Sequence, residues 1–278
     1  MQKLITSLLV LSSTFSFAQS FHLGVFGGTS NYQGDLTDKP FGKLTKSAVG
    51  ITGTYELTSR WNLRGGLTFA KVAGDDQYNT PSARPRNLNF ESKIRELSLV
   101  AEFNVFSLDN IRWTPYAFGG LAVYHFDPYT QDSAGLKLFL KPLTTEGQGL
   151  AGYPTRPYAT TQLALPFGGG VKYAVSDNIR IGLELGMRKL FTDHLDDVST
   201  NYAAAADLFA ASGPKAVDLA YRGDELPNGN PAYPAKGEQR GGAKEKDWYY
   251  FTGLHVAFRI NANGGGGGRN KYGCPQTF

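Results

Sequence analysis

Eight stretches of this chain alternate between apolar and polar residues with a period of two, and that pattern limits its possible folds more than any other feature. In WNLRGGLTFA, Trp61, Leu63, Gly65, Leu67 and Phe69 fall on one face, while Asn62, Arg64, Gly66, Thr68 and Ala70 fall on the other. Successive side chains of a β-strand point to opposite sides of the sheet, so this segment reads as a strand with one greasy and one polar face. Residues 21–25, 49–57, 96–105, 116–126, 162–175, 179–188 and 248–260 behave similarly. In the fifth of these strands the apolar face is Tyr116, Phe118, Ala122, Tyr124 and Phe126.

The connections differ by side. Strands two and three join through Thr58-Ser59-Arg60, four and five through SLDNIR, six and seven through SDN, all rich in turn-forming Ser, Asp and Asn. The alternate connections are long, near residues 28–46, 72–91, 128–160 and 191–245. Short turns at one end, long loops at the other and an even strand number predict an all-β fold: an eight-stranded antiparallel up-and-down transmembrane β-barrel with short periplasmic turns and long extracellular loops. A soluble β-sandwich also alternates. Against it stand apolar faces nearly free of charge, polar faces carrying charges of both signs, and Trp61, Trp113 and Trp248 at strand ends, where aromatic girdles meet the membrane interfaces.

Composition and address agree with export to an outer membrane. Residues 1–18, MQKLITSLLVLSSTFSFA, have the charged start, apolar run and small-residue end of a cleaved signal peptide. Charged residues are 19% of the chain, below the roughly 25% of soluble domains, and glycine is abundant at 34 of 278. A weak net charge of +4 gives no case for nucleic acid. The predicted organisation is a signal peptide over 1–18, a barrel over 19–261 and a Gly-rich periplasmic tail over 262–278, NGGGGGRNKYGCPQTF at its core. Its single cysteine, Cys274, is either a free thiol or half of an intermolecular bridge, and so a possible contact with a periplasmic partner.

An eight-stranded barrel is only wide enough for side chains to fill. The inward positions include Arg64, Lys172, Arg180, Arg188 and Arg259 against Glu96, Glu102 and Glu184. Buried charge without a partner is costly, so these residues are expected to form an ionic network that plugs the lumen. His22 and His255 share the luminal phase of neighbouring strands. His125 has no adjacent serine, and the pattern supplies no catalytic residue, no cofactor site and no metal site. Asp193, His194, Asp196 and Asp197 crowd one loop, where capping of backbone amides or of the start of the following AAAADLFAAS helix is favoured over calcium binding. FHLGVFGGTSNYQGDL contains glycines like those of a phosphate loop, but an alternating strand follows instead of a crossover helix. Its glycines are expected where strand one leaves the membrane and turns outward.

NYQGDL (31–36), YAFGGLAVYHFDP (116–128), LPFGGGVKYAVSDNIRIGLELGMR (165–188), HLDDVSTNY (194–202) and NKYGCP (270–275) resemble the Bacteroidota outer-membrane barrels of the PorG type. That resemblance runs over nearly the whole mature chain. It implies a non-enzymatic structural barrel of the type IX secretion apparatus, set in outer-membrane lipid and lipopolysaccharide and associated with periplasmic ring proteins. The alternatives from the residues are a stand-alone surface barrel that binds a ligand through its long loops, and a lipid-modifying barrel enzyme.

Overall fold

A strand buries its polar face only if a second wall encloses that face, and here the sheet supplies the wall by closing on itself. The computed structural model describes residues 20–39 and 43–260; the predicted signal peptide and tail, with Cys274, lie outside them. The strands are β1 (Phe21–Gln33), β2 (Lys46–Glu56), β3 (Trp61–Asp75), β4 (Asn89–Asn104), β5 (Trp113–His125), β6 (Pro128–Gln131), β7 (Lys137–Phe139), β8 (Thr161–Ala174), β9 (Ile179–Leu190) and β10 (Trp248–Ile260). All pairs are antiparallel, each long strand bonding its sequence neighbour among the long strands. The β1–β10 pairing, from Phe21↔Ile260 to Gln33↔Trp248, closes an eight-stranded barrel. The expected fold class is therefore borne out.

The tight turns form as their composition dictates: Thr58 Oγ1 accepts from the Trp61 amide at 2.9 Å, and Ser176 Oγ from the Ile179 amide at 3.1 Å. The outward wall is apolar. Leu97 is 63% exposed, Leu121 62% and Leu183 58%, and outward neighbours such as Leu23, Val49, Ile51, Phe69, Val171 and Phe258 are exposed with them. A continuous apolar belt of this kind is the surface of a protein solvated by lipid, not water.

Three expectations are corrected. First, β5 has the opposite phase. Tyr116, Phe118, Ala122, Tyr124 and Phe126 are buried inside, and Leu121 and Val123 face outward. Both faces of this strand are apolar, so alternation alone did not assign them. Second, β1 does not turn outward at its glycines but continues to Gln33, so NYQ is strand. Gly28 lies mid-strand at the closing seam: a Cβ there would strike the Thr252 carbonyl and come within 2.5 Å of Gly253 Cα. Gly28→Val is expected to overpack this seam by about 1–3 kcal/mol. A lower fraction of the compact, heat-modifiable band on cold electrophoresis is the readout. Third, the lumen is not polar throughout. At the long-loop end its interior is an aromatic and aliphatic cluster that includes Phe26, Tyr124, Phe126, Leu190, Tyr249 and Phe251.

That inversion explains why the strands outrun the belt. Past it, the inward positions Val72, Phe90 and Ile94 are buried and apolar, while Lys71 and Lys93 face out. The long loops cover this end as an ordered cap. The β6–β7 hairpin, not foreseen from the pattern, extends the β4 ladder through Glu91↔Tyr129. Two helices, α1 (Ala205–Ser212) and α2 (Pro214–Ala220), pack Ala203, Leu208, Ala216 and Ala220 into a small core of their own. The AAAADLFAAS helix is thus present.

Candidate functional site: the luminal ion network and the cap above it

Strand register sets which luminal charges meet. Arg64 on β3 reaches across to Glu184 on β9, Nη1 to Oε2 at 2.5 Å, and lies 3.5 Å from Glu102 on β4. Lys172 on β8 pairs with Glu102, which also accepts from the Asn62 side chain at 2.8 Å. The Tyr116 hydroxyl donates to Glu184 at 2.8 Å, and His255 Nε2 stands 3.7 Å from the same carboxylate. The β5 aromatics give these cations apolar shelves: Arg64 sits 4.8 Å over Phe118 and Lys172 4.3 Å over Tyr116. This is why their luminal placement is favourable.

A second node lies nearer the cap. Arg188 on β9 grips Glu96 on β4 in a fork, Nε to Oε2 at 3.0 Å and Nη2 to Oε1 at 3.1 Å. The Tyr249 hydroxyl donates to the same carboxylate at 2.7 Å, and Phe251 stacks under the guanidinium at 4.1 Å. Gly186 makes the room, because a Cβ there would collide with Arg188 Nη1. Arg180 pairs with Glu56 at 2.5 Å toward the short-turn end. Glu56 was absent from the expected network because it stands at the edge of its strand. Arg259 departs from expectation: it is opposite His22 in the register and forms no ion pair with a described residue. Two voids of about 30 Å³ each lie around Arg64, room for water.

Trp61 and Trp113 are exposed at the short-turn end beside Phe103 and Phe106, with ring centroids 4.9 and 5.6 Å apart. Trp248 starts β10 at the opposite end, half-buried and edge-on to Phe167.

The cap joins two motifs far apart in sequence, NYQGDL and HLDDVSTNY. The Tyr32 hydroxyl lies 2.5 Å from Asp196 Oδ2 and 3.1 Å from Asp247 Oδ1. One hydroxyl proton is shared between the two carboxylates, which also accept the Val198 and Leu195 amides, each at 2.9 Å. Burial and neighbouring acids push both well above the usual carboxylate range. Burial also raises Asp35 and Asp197 to about 6 and Asp193 to about 7. Asp197 accepts from Thr145 at 2.6 Å and Tyr158 at 2.7 Å; Asp35 accepts from the Gly242 amide at 2.9 Å. Glu146 accepts the Ser199 and Thr200 amides at 2.8 and 3.0 Å, with Arg240 at 3.0 Å. His194 stacks on Tyr158 at 4.7 Å, and burial lowers its pKa.

The capping expectation for this acidic run holds for a backbone amide, since Asp196 Oδ1 accepts from the Val198 amide at 2.9 Å, but is corrected for the helix start. The α1 N-cap is Ala204, with no side-chain bond; the aspartates fasten the loops to one another and to β1. Sequence reasoning missed Asp35, Glu146, Arg240 and Asp247, because their partners come from other loops. Among the described residues, no group of three or more His, Cys, Asp or Glu is arranged to hold a metal ion.

The fold defines the class: a closed eight-stranded antiparallel barrel of the outer-membrane type, its interior crossed by ion pairs and one end covered by the long loops. Residues 1–137 match a domain of unknown function, DUF6089. Among solved structures, the chain is similar to Neisserial surface protein A (11% identity, TM-score 0.43, covering 87% of this chain and 99% of that one). It is also similar to Ail, the attachment invasion locus protein of Yersinia pestis, in complex with the heparin analogue sucrose octasulfate (8% identity, TM-score 0.42, 87% and 99%). A third is a major outer membrane protein from Thermus thermophilus (12% identity, TM-score 0.40, 87% and 100%). No curated protein matches the sequence.

Proposed function

We propose that this chain is a non-enzymatic integral outer-membrane barrel that acts structurally, with its short turns in the periplasm and its cap outside. One observation carries this reading: an uncharged apolar wall encloses a lumen whose buried charges are consumed in pairs, Arg64–Glu184, Lys172–Glu102 and Arg188–Glu96. Such a body can hold a position in the membrane and present surfaces, but offers ions no path. Purified protein in planar bilayers is expected to show no steady conductance; a stable open level would overturn the reading.

The finer role, anchoring periplasmic ring proteins of a type IX secretion apparatus, is supported by the resemblance of its motifs to PorG-type barrels, with Cys274 in the tail as a candidate contact. A second reading, display of a ligand-binding surface, is favoured by the ordered cap, where Leu136, Phe139 and Phe209 stand exposed. Crosslinking in envelopes separates them. An anchor loses its partners when residues 262–278 are deleted, and a surface binder when the loop carrying α1 and α2 is replaced.

A further inference from the structure

Outside the barrel, on β2, β3 and β4 just above the apolar belt, lies a groove of about 450 Å³. Its floor is Val49 and Phe69, and its rim is Lys71, Lys93 and Arg95; no carboxylate lines it. All three cations are exposed, and none forms an ion pair with a described residue. Glu91, the next outward position of β4, is already engaged by Lys46 and by the Tyr129 hydroxyl at 2.6 Å. The register sets Lys71 directly opposite Lys93, with Arg95 opposite Phe69 on the next outward pair. Like charges in facing positions of an antiparallel pair are destabilising, and a bound anion relieves that cost.

The depth identifies which anion. Ten residues of β3 at roughly 3.3 Å each, tilted by about 40°, lift Lys71 about 25 Å above Trp61, the height of the apolar band of such barrels. Below the cations, Leu97 and Leu99 continue β4 as bare lipid-facing wall. The groove thus combines three cations at headgroup level with an apolar floor open to acyl chains.

We infer that this groove is a binding site for a phosphorylated, acylated glycolipid of the outer leaflet, of the lipid A class. Lys71, Lys93 and Arg95 clasp a phosphate, and acyl chains lie along Val49, Phe69 and the wall beneath. Arg95 supplies a planar donor fork suited to phosphate, and the two lysines supply point charges. The inference rests on the membrane reading above, with the long-loop end outward.

The test is reconstitution of the full chain into nanodiscs of zwitterionic phospholipid doped with bisphosphorylated lipid A or with its dephosphorylated form. Bound lipid is counted by native mass spectrometry, and cold electrophoresis checks that the barrel has folded. The wild type is expected to retain the phosphorylated form and release the other. Lys93→Glu with Arg95→Glu should weaken retention by roughly tenfold or more, given about 1 kcal/mol per cation near a lipid surface. Arg156→Glu, in an exposed loop of the cap, should leave it unchanged. Equal retention of both lipids, or retention unaffected by the double reversal in a folded barrel, overturns the site while leaving the membrane barrel intact. Failure of the wild type to insert into any bilayer overturns both.

Discussion

Glu96→Ala is expected to cost the barrel about 3–5 kcal/mol, because it strands the Arg188 guanidinium inside the lumen without its counter-charge. Glu96 is fully buried and Arg188 only 6% exposed, so water cannot replace the lost carboxylate. The Tyr249 hydroxyl would lose its acceptor in the same step. The measurement is the urea midpoint of unfolding in lipid vesicles, followed by heat-modifiable mobility. The double variant Glu96→Leu, Arg188→Leu should recover most of the loss, since Phe251 already offers an apolar surface under the guanidinium. If both variants were equally damaged, the site would be acting by shape and not by charge.

The cap is expected to loosen as pH rises from about 5 to 8. Asp35 and Asp197 titrate near 6 and Asp193 near 7 in the folded protein, against roughly 3.9 for a free aspartate. The folded cap therefore holds more protons than the unfolded one across that interval, and stability falls with pH wherever this is so. Their stabilisation is complete below about pH 4 and is lost as pH climbs through 6 and 7. His194 works in the opposite sense: burial lowers its pKa, so its contribution is lost on acidification below its ordinary range. Three aspartates and the Asp196–Asp247 pair outweigh one imidazole. Hydrogen exchange at the Leu195, Val198 and Ser199 amides, corrected for intrinsic rates, reports the opening; these amides donate to Asp247, Asp196 and Glu146. Asp193→Asn should flatten the profile between about pH 6 and 8. Protection that increased with pH would contradict the assignment.

How much of this could be read in advance differs by region. Seven of the eight barrel strands have the lipid face their alternation indicates, because one side meets hydrocarbon and the other an enclosed polar space. β5 fails because its two faces are both apolar, aromatic inside and aliphatic outside. The aromatic face is the one turned inward, where Arg64 of β3 lies over Phe118 and Lys172 of β8 over Tyr116. The acidic loop fails differently. Asp196 caps the nearby Val198 amide as a loop aspartate should, but not the helix start, and its other oxygen is held by Tyr32, 164 residues away.

The sequence by itself determined the eight barrel strands, their antiparallel meander, the lipid-facing side of every barrel strand but β5 and most of the charges needing partners inside, since each follows from a period of two between unlike solvents. Tertiary structure alone decided which charges meet and what fills the lumen's upper half. Arg64 finds Glu184, 120 residues on, only because closure of β1 on β10 fixes the register of every strand between them. The cap likewise exists only where loops from opposite walls bury their acids together above one aromatic floor.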